Sequence, residues 1–146
     1  MKSYLPKRPS VNEREWVVVD AQNKVLGRLA AGIIRFLRGK NRVDFAPQVD
    51  NGSFVVVVNA GKVKLTGDKE DKKLYQFYSG YRSGLKRVSA GALRERHPDR
   101  LLRLAVKRML PRTRIGRRMY GRLKVYAGPA HPHLSQKPRS VEFERA

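Results

Sequence analysis

Trp16-Val17-Val18-Val19-Asp20, then Leu26-Gly27-Arg28-Leu29-Ala30-Ala31-Gly32-Ile33-Ile34-Arg35-Phe36-Leu37, then Phe54-Val55-Val56-Val57-Val58-Asn59: this succession decides the fold. The outer two pieces are short apolar runs rich in β-branched residues, the pattern of buried strands. In the middle piece Leu26, Leu29, Ala30, Ile33 and Leu37 recur at three- and four-residue steps, which aligns them on one face of a helix. Arg28 and Arg35 fall on the opposite face, with Arg38 at its edge. Gly39 stands where a helix takes its C-terminal cap. Strands separated by helical patterns favour an α/β domain with a largely parallel sheet.

Outward from this unit the pattern weakens. Residues 1–15, with Pro6, Pro9 and mixed charge, read as an extended arm. Asn23 suits a left-handed turn between the first strand and the helix. A loop runs through Asp44, Pro47 and Gly52, and Val63-Lys64-Leu65 is a short third apolar segment. Lys69 to Lys73 is charged and solvated, and Leu74 to Tyr81 is tyrosine-rich, strand or extended loop, with Gly80 and Gly84 bracketing a turn. Ser89 caps a short helix through Arg96, and Pro98 opens another to Leu110 at its favoured first position. Ile115 to Leu123 reads as one more short helix, and Lys124-Val125-Tyr126 as extended. From Gly128 onward Pro129, Pro132 and Pro138 interrupt a stretch with no apolar period, which predicts an irregular tail. The expected division is an arm over 1–15, an α/β body over 16–126 and a tail over 127–146.

The 146 residues fit one domain, which at this size buries roughly 68–70% of its unfolded surface. Cysteine is absent, so disulfides, thiolate-bound zinc and thiol catalysis are excluded. The longest apolar run, Phe54 to Val58, is far short of the ~20 residues of a membrane span. Pro6-Lys7-Arg8-Pro9 interrupts any signal-peptide core, so secretion is not expected and Asn51-Gly52-Ser53 reads as a coincidental glycosylation match.

Charge is the strongest functional signal. Thirty-three Lys and Arg stand against 12 Asp and Glu, a net charge of +21. Such an excess repels itself in the folded state and calls for a polyanionic partner. The charge is also concentrated: residues 100–141 hold twelve Lys and Arg and no acid. Lys107, Arg108, Arg112, Arg114, Arg117, Arg118, Arg122 and Lys124 lie close together there. Most are arginine, whose planar fork grips phosphate in a bidentate manner. Tyr120 and Tyr126 among them suit stacking on an unpaired base. Eight phosphate contacts would give a salt slope of roughly −6 to −7. Arg35, Arg38, Lys40 and Arg42 form a second cluster, where the helix dipole alone also favours cations. Lys86-Arg87 is a third, weaker patch. The apolar face offered by Ile115 and Met119-Tyr120 is too small for a membrane-bound helix.

No catalytic constellation emerges. Gly61-Lys62 is followed by Val63, not by the Ser or Thr of a phosphate-binding loop, and no G-x-G-x-x-G occurs. His131-Pro132-His133 has no carboxylate beside it and makes a poor metal site. These imidazoles suit hydrogen bonds to RNA or to the domain surface. Asp20 ends a buried strand, where α/β enzymes place functional acids, but no partner is near and a turn-forming role is favoured. No cofactor and no small-molecule substrate is expected.

Several segments, in order, resemble the bacterial form of the large-subunit ribosomal protein thirteen family. They are Gly27-Arg28-Leu29-Ala30 with Leu37-Arg38-Gly39-Lys40; Phe54 to Ala60 with Leu65-Thr66-Gly67; Ala105-Val106-Lys107, Met109-Leu110-Pro111, Gly116-Arg117 and Leu123 to Gly128; and His131-Pro132-His133 with Gln136-Lys137-Pro138. The resemblance spans roughly residues 14–140. It implies a three-layer α/β/α fold with a small, largely parallel four-stranded sheet. It also implies stable binding to large-subunit ribosomal RNA beside neighbouring ribosomal proteins, a role early in subunit assembly, a cytoplasmic location in the ribosome, and no enzyme activity. An RNA-contact role carries over to Arg28, Arg38, Lys40, Lys107, Arg117, Lys124, His131 and His133. The chain departs from the family at Arg82-Ser83, where Pro-Gly is usual after Gly80-Tyr81, and at Arg108, where Gly is usual.

Two other readings compete. A nucleic-acid enzyme of α/β class would need metal-binding carboxylates, which the acid-free stretch lacks. A regulatory module binding its own messenger RNA would use the same basic surface and is compatible with the ribosomal reading.

Overall fold

The computed structural model describes residues 4–143. Its strands are β1 (Trp16–Asp20), β2 (Phe54–Val58), β3 (Leu74–Tyr78), β4 (Leu85–Ser89), β5 (Leu123–Val125) and β6 (Arg139–Ser140). Its α-helices are α1 (Leu26–Arg38), α2 (Lys69–Lys72), α3 (Ala90–Arg96), α4 (Arg100–Met109) and α5 (Arg114–Gly121). A four-stranded sheet runs β5-β2-β1-β6, with every neighbouring pair parallel. The α/β class and the small parallel sheet are as the sequence predicts.

Strand alternation divides the sheet into two faces. On one face Val17, Val19, Val55, Val57, Leu123 and Val125 meet the apolar stripe of α1 in a single core, which Leu102 and Val106 of α4 and Met119 of α5 also join. Fully burying an aliphatic side chain contributes about 1.5–3 kcal/mol, so this cluster is a major source of favourable free energy. On the other face Trp16 and Phe54, directly opposite in the β1–β2 register, stack at 4.3 Å and 7°. Asp20 is a turn device: its Oδ1 accepts from the Gln22 amide (3.0 Å) and from Asn59 Nδ2 (2.9 Å), and these bonds lower its pKa, the one from Asn59 most.

Local signals placed several boundaries well. Gly39 caps α1 in the left-handed region (φ 74°), its amide donating to the Arg35 and Phe36 carbonyls. The Ser89 side chain accepts from the Ala92 amide at the start of α3. Elsewhere the structure differs from the reading. Pro98 stands outside α4, because a turn closed by the Arg100 amide on the His97 carbonyl comes first. The helix expected to reach Leu123 stops at Gly121, since Leu123 pairs with Val55 and enters the sheet. Val63-Lys64-Leu65 makes only an isolated bridge, Val25 to Lys64. Residues 85–89 form a strand that the sequence did not suggest, pairing with β3 in an antiparallel hairpin seated on α3 and α4 through Tyr75, Ala90, Leu93 and Leu101. The stretch expected to be an irregular tail supplies β6, which pairs with Val17 and Val18, and Phe143 beyond it packs on Phe36 of α1 at 5.8 Å.

One buried ionic cluster ties these parts together. Asp50 is 4% exposed and lies between the guanidiniums of Arg14 and Arg122, each 6% exposed. Arg122 forks onto both carboxylate oxygens at 2.6 Å and also donates to the Leu37 carbonyl at 3.0 Å. Arg14 donates to the Gly52 and Asp50 carbonyls at 2.6 and 2.8 Å. Burial and the nearby Arg122 charge lower the Arg14 pKa, an effect that Asp50 opposes. Arg122 was expected at the RNA surface. It is instead an internal ion-pair partner, out of reach of phosphate, because it follows α5 on the inward side next to Met119 and Leu123. Gly52 completes the cluster: a Cβ there would overlap the Leu37 carbonyl.

Asp50→Ala would leave two buried cations without a counter-charge. Breaking a buried pair in this way costs about 3–5 kcal/mol. The expected result is a large drop in the urea or thermal unfolding midpoint; a loss below about 1 kcal/mol would show that water or a local rearrangement compensates.

Candidate nucleic-acid interface

The turn from α4 into α5 carries the densest group of cations. Lys107, Arg108, Arg112, Arg114, Arg117 and Arg118 are all exposed. Thr113 caps α5, its hydroxyl accepting from the Gly116 amide at 3.2 Å. Gly116 is buried against the Pro111 carbonyl, which brings α5 close to the end of α4. Ile115 and Met119 turn inward to the core, so Arg114, Arg117 and Arg118, at i, i+3 and i+4, share the outward face.

This arrangement is unfavourable for an isolated protein. Like charges at these spacings repel. The first turn of α5 contains no acid, and cations at a helix N-terminus oppose the helix dipole. Among the described residues, none of Lys107, Arg108, Arg112, Arg114, Arg117 and Arg118 has an acidic partner. Within the acid-free stretch the ion-paired residues are Arg103 with Asp99, Arg122 with Asp50 and Arg139 with Glu15. Arg108 also lies over the Tyr75 ring, 5.3 Å from its centroid.

The other candidates fall elsewhere on the body. Arg28 and Arg35 are on the exposed side of α1, Arg38 is half-buried, and Lys40 is exposed just beyond the cap. Arg42 is partly neutralised by Asp44 at 3.3 Å. The dipole of α1 accounts for cations at its C-terminus, so Arg35 and Arg38 carry less functional weight than the α5 row. Lys86 and Arg87 project from β4. Lys124, in β5, is half-buried on the Trp16–Phe54 side of the sheet.

The two histidines lie on that side as well. His133 sits 5.1 Å from Trp16, and its Nε2 is 2.8 Å from the Tyr126 hydroxyl. The His133 amide donates to His131 Nδ1 at 3.2 Å. His133 thus serves the domain surface in this structure. Tyr126 is committed to His133, and Tyr120 packs against the core, so neither is the free stacking platform that sequence position suggested.

The family model described as ribosomal protein L13 matches residues 14–132. The chain belongs to the ribosomal protein L13 family. Its relatives include the large ribosomal subunit protein uL13 of Thermotoga petrophila, 56% identical over 93% of this chain and 91% of the relative. The protein of the same name from Pseudothermotoga lettingae is 58% identical over 89% and 88%, and that from Chloroflexus aggregans 52% identical over 95% and 96%. The L13 family consists of structural ribosomal proteins, not enzymes. Among the described residues of this L13 chain no helix is long and apolar enough to cross a membrane.

Two outcomes are expected at this surface. Arg117→Ala with Arg118→Ala should weaken RNA binding while changing unfolding stability by less than about 0.5 kcal/mol per site, as for other exposed positions; a large fall in melting temperature would mean that these residues hold the fold. His133 should titrate below the ordinary imidazole value of about 6.5, because burial, then His131 and Lys124, disfavour its charged form. Its stability contribution is therefore full above that pH and declines as pH falls through the lowered folded value. NMR titration of the ring checks this, and a midpoint above 6.5 would refute it.

Proposed function

We propose that this chain, a structural protein of the large ribosomal subunit, binds large-subunit ribosomal RNA chiefly through the exposed arginine row of α5 and the α4–α5 turn, and that it joins the subunit early in assembly. The supporting observation is the α5 row itself. Its cations repel one another, Arg114 in the first turn opposes the helix dipole, and all three lack acidic partners among the described residues. Phosphate relieves all three penalties at once, and arginine suits its geometry. Lys107, Arg112 and Lys124 extend the surface, and Arg35, Arg38 and Lys40 add a second region of contact. Phosphate contacts of this kind provide affinity and register. Neighbouring ribosomal proteins complete the surroundings of the chain, in the cytoplasm as part of the ribosome.

An early structural component should be held too firmly to be washed away. The chain should co-sediment with large subunits through a high-salt wash, and quantitative release at moderate salt would identify a loosely associated factor instead. With Arg122 withdrawn to the interior, seven of the eight clustered cations remain available. For binding to free ribosomal RNA the slope of log K against log salt should then be about −5 to −6. A slope near −1 would remove the arginine row from the interface.

A further inference from the structure

The hairpin of β3 and β4 has an outward face that nothing among the described residues covers. The register sets Tyr78 opposite Leu85, and strand alternation puts Leu74 and Arg87 on the same side. Leu74, Tyr78 and Leu85 are 53%, 68% and 46% exposed. At the tip, Tyr81 is 79% exposed in a loop that closes through the Gly84 amide on the Tyr81 carbonyl.

The aromatics on the inner side of the same hairpin are treated differently. Tyr75 is buried, with the Lys73 and Arg108 cations each 5.3 Å from its ring centroid. Phe77 lies under Arg100 at 5.0 Å. Among the described residues Tyr78 and Tyr81 have neither a ring nor a cation partner. Between Asp71 and Glu95 the chain contains Lys72, Lys73, Arg82, Lys86, Arg87 and Arg94 and no acid. The acids of the neighbouring helix α2 lie at the Leu74 end of the hairpin, and the tip with Tyr78 and Tyr81 carries only cations in sequence, Arg82, Lys86 and Arg87, which suits a polyanion that also offers flat apolar surfaces. Unpaired RNA has both: bases stack on exposed aromatic rings while cations beside them meet the backbone. A base-paired helix keeps its base faces covered and cannot use the tyrosines.

We propose that Tyr78 and Tyr81 are base-stacking residues, and that this hairpin, with Arg82 and Arg87, binds an unpaired stretch of RNA. The proposal rests on the RNA-binding reading above and adds a second surface with a different mode of recognition. The α5 row grips backbone phosphate; the hairpin selects single strands.

The test uses the full chain and two probes of equal length, a single-stranded RNA oligonucleotide containing 2-aminopurine and a fully paired RNA duplex. Tyr78→Leu with Tyr81→Leu should weaken single-strand binding by about tenfold or more and abolish the 2-aminopurine quenching. Duplex affinity, the salt slope and the melting temperature should not change, since no charge or buried group is removed. Tyr78→Phe with Tyr81→Phe should keep wild-type affinity, because stacking needs the ring and not the hydroxyl. Unaltered single-strand binding by the leucine variant overturns the stacking proposal and leaves the α5 reading intact. If the wild type binds neither probe, both readings fail. If the leucine variant binds RNA normally yet no longer joins large subunits, the face is occupied by a protein neighbour and the proposal is wrong.

Discussion

Asp50 holds three distant parts of the chain at one buried point. Through Arg14 it fastens the turn that precedes β1, through its own backbone it fixes the loop that leads from α1 into β2, and through Arg122 it anchors the junction of α5 and β5. The Leu37 carbonyl, near the end of α1, shares the Arg122 guanidinium. A buried carboxylate cannot stay ionised without such partners, and buried guanidiniums cannot do without the carboxylate. Loop, turn and helix end are therefore ordered together. A well-packed apolar group can often match the net stability of a buried ion pair. The particular contribution of this one is directional, because forked hydrogen bonds fix orientation as well as distance.

That orientation governs the basic surface. With Arg122 anchored inward and Met119 packed in the core, α5 can present only Arg114, Arg117 and Arg118 outward. The short α4–α5 turn, with Gly116 pressed against Pro111, keeps the row in register with Lys107 and Arg112. The same residue type thus serves two opposite purposes within a few positions. Arg122 is neutralised inside the fold, and its neighbours on α5 have no acidic partner among the described residues. The repulsion stored in that outward row would be relieved by a bound phosphate, so on the proposed function RNA binding would stabilise this part of the fold through the same charges.

The sheet carries a similar division of labour. One face is a dry aliphatic core shared with α1, α4 and α5. The other is aromatic and half-buried, with Trp16 stacked on Phe54 and His133 bridging Trp16 and Tyr126. Residues that resemble RNA contacts in sequence are used there to seat the C-terminal segment on the body. The β3–β4 hairpin stands apart from both faces, on its own small apolar cluster, and leaves Tyr78 and Tyr81 exposed.

The sequence by itself determined the α/β class, the strands β1 and β2, the helix between them, the Gly39 and Ser89 caps and the location of the dominant positive charge. All of these are encoded in residues a few positions apart, in apolar period, cap chemistry or composition. Only the tertiary structure decided which cations belong to the surface. Counting charge treats every arginine alike, and the partner that removes Arg122 from the count lies 72 positions away in a loop. A faint local sign did exist: Arg122 continues the inward spacing of Ile115 and Met119 and directly precedes the strand residue Leu123. Strand β6 had no such sign, because two residues acquire strand geometry only from the open edge of β1. The exposure of the tyrosines was likewise settled by non-local contacts. Tyr126 and Tyr78 look equally available in the chain, and packing covers one while leaving the other in solvent.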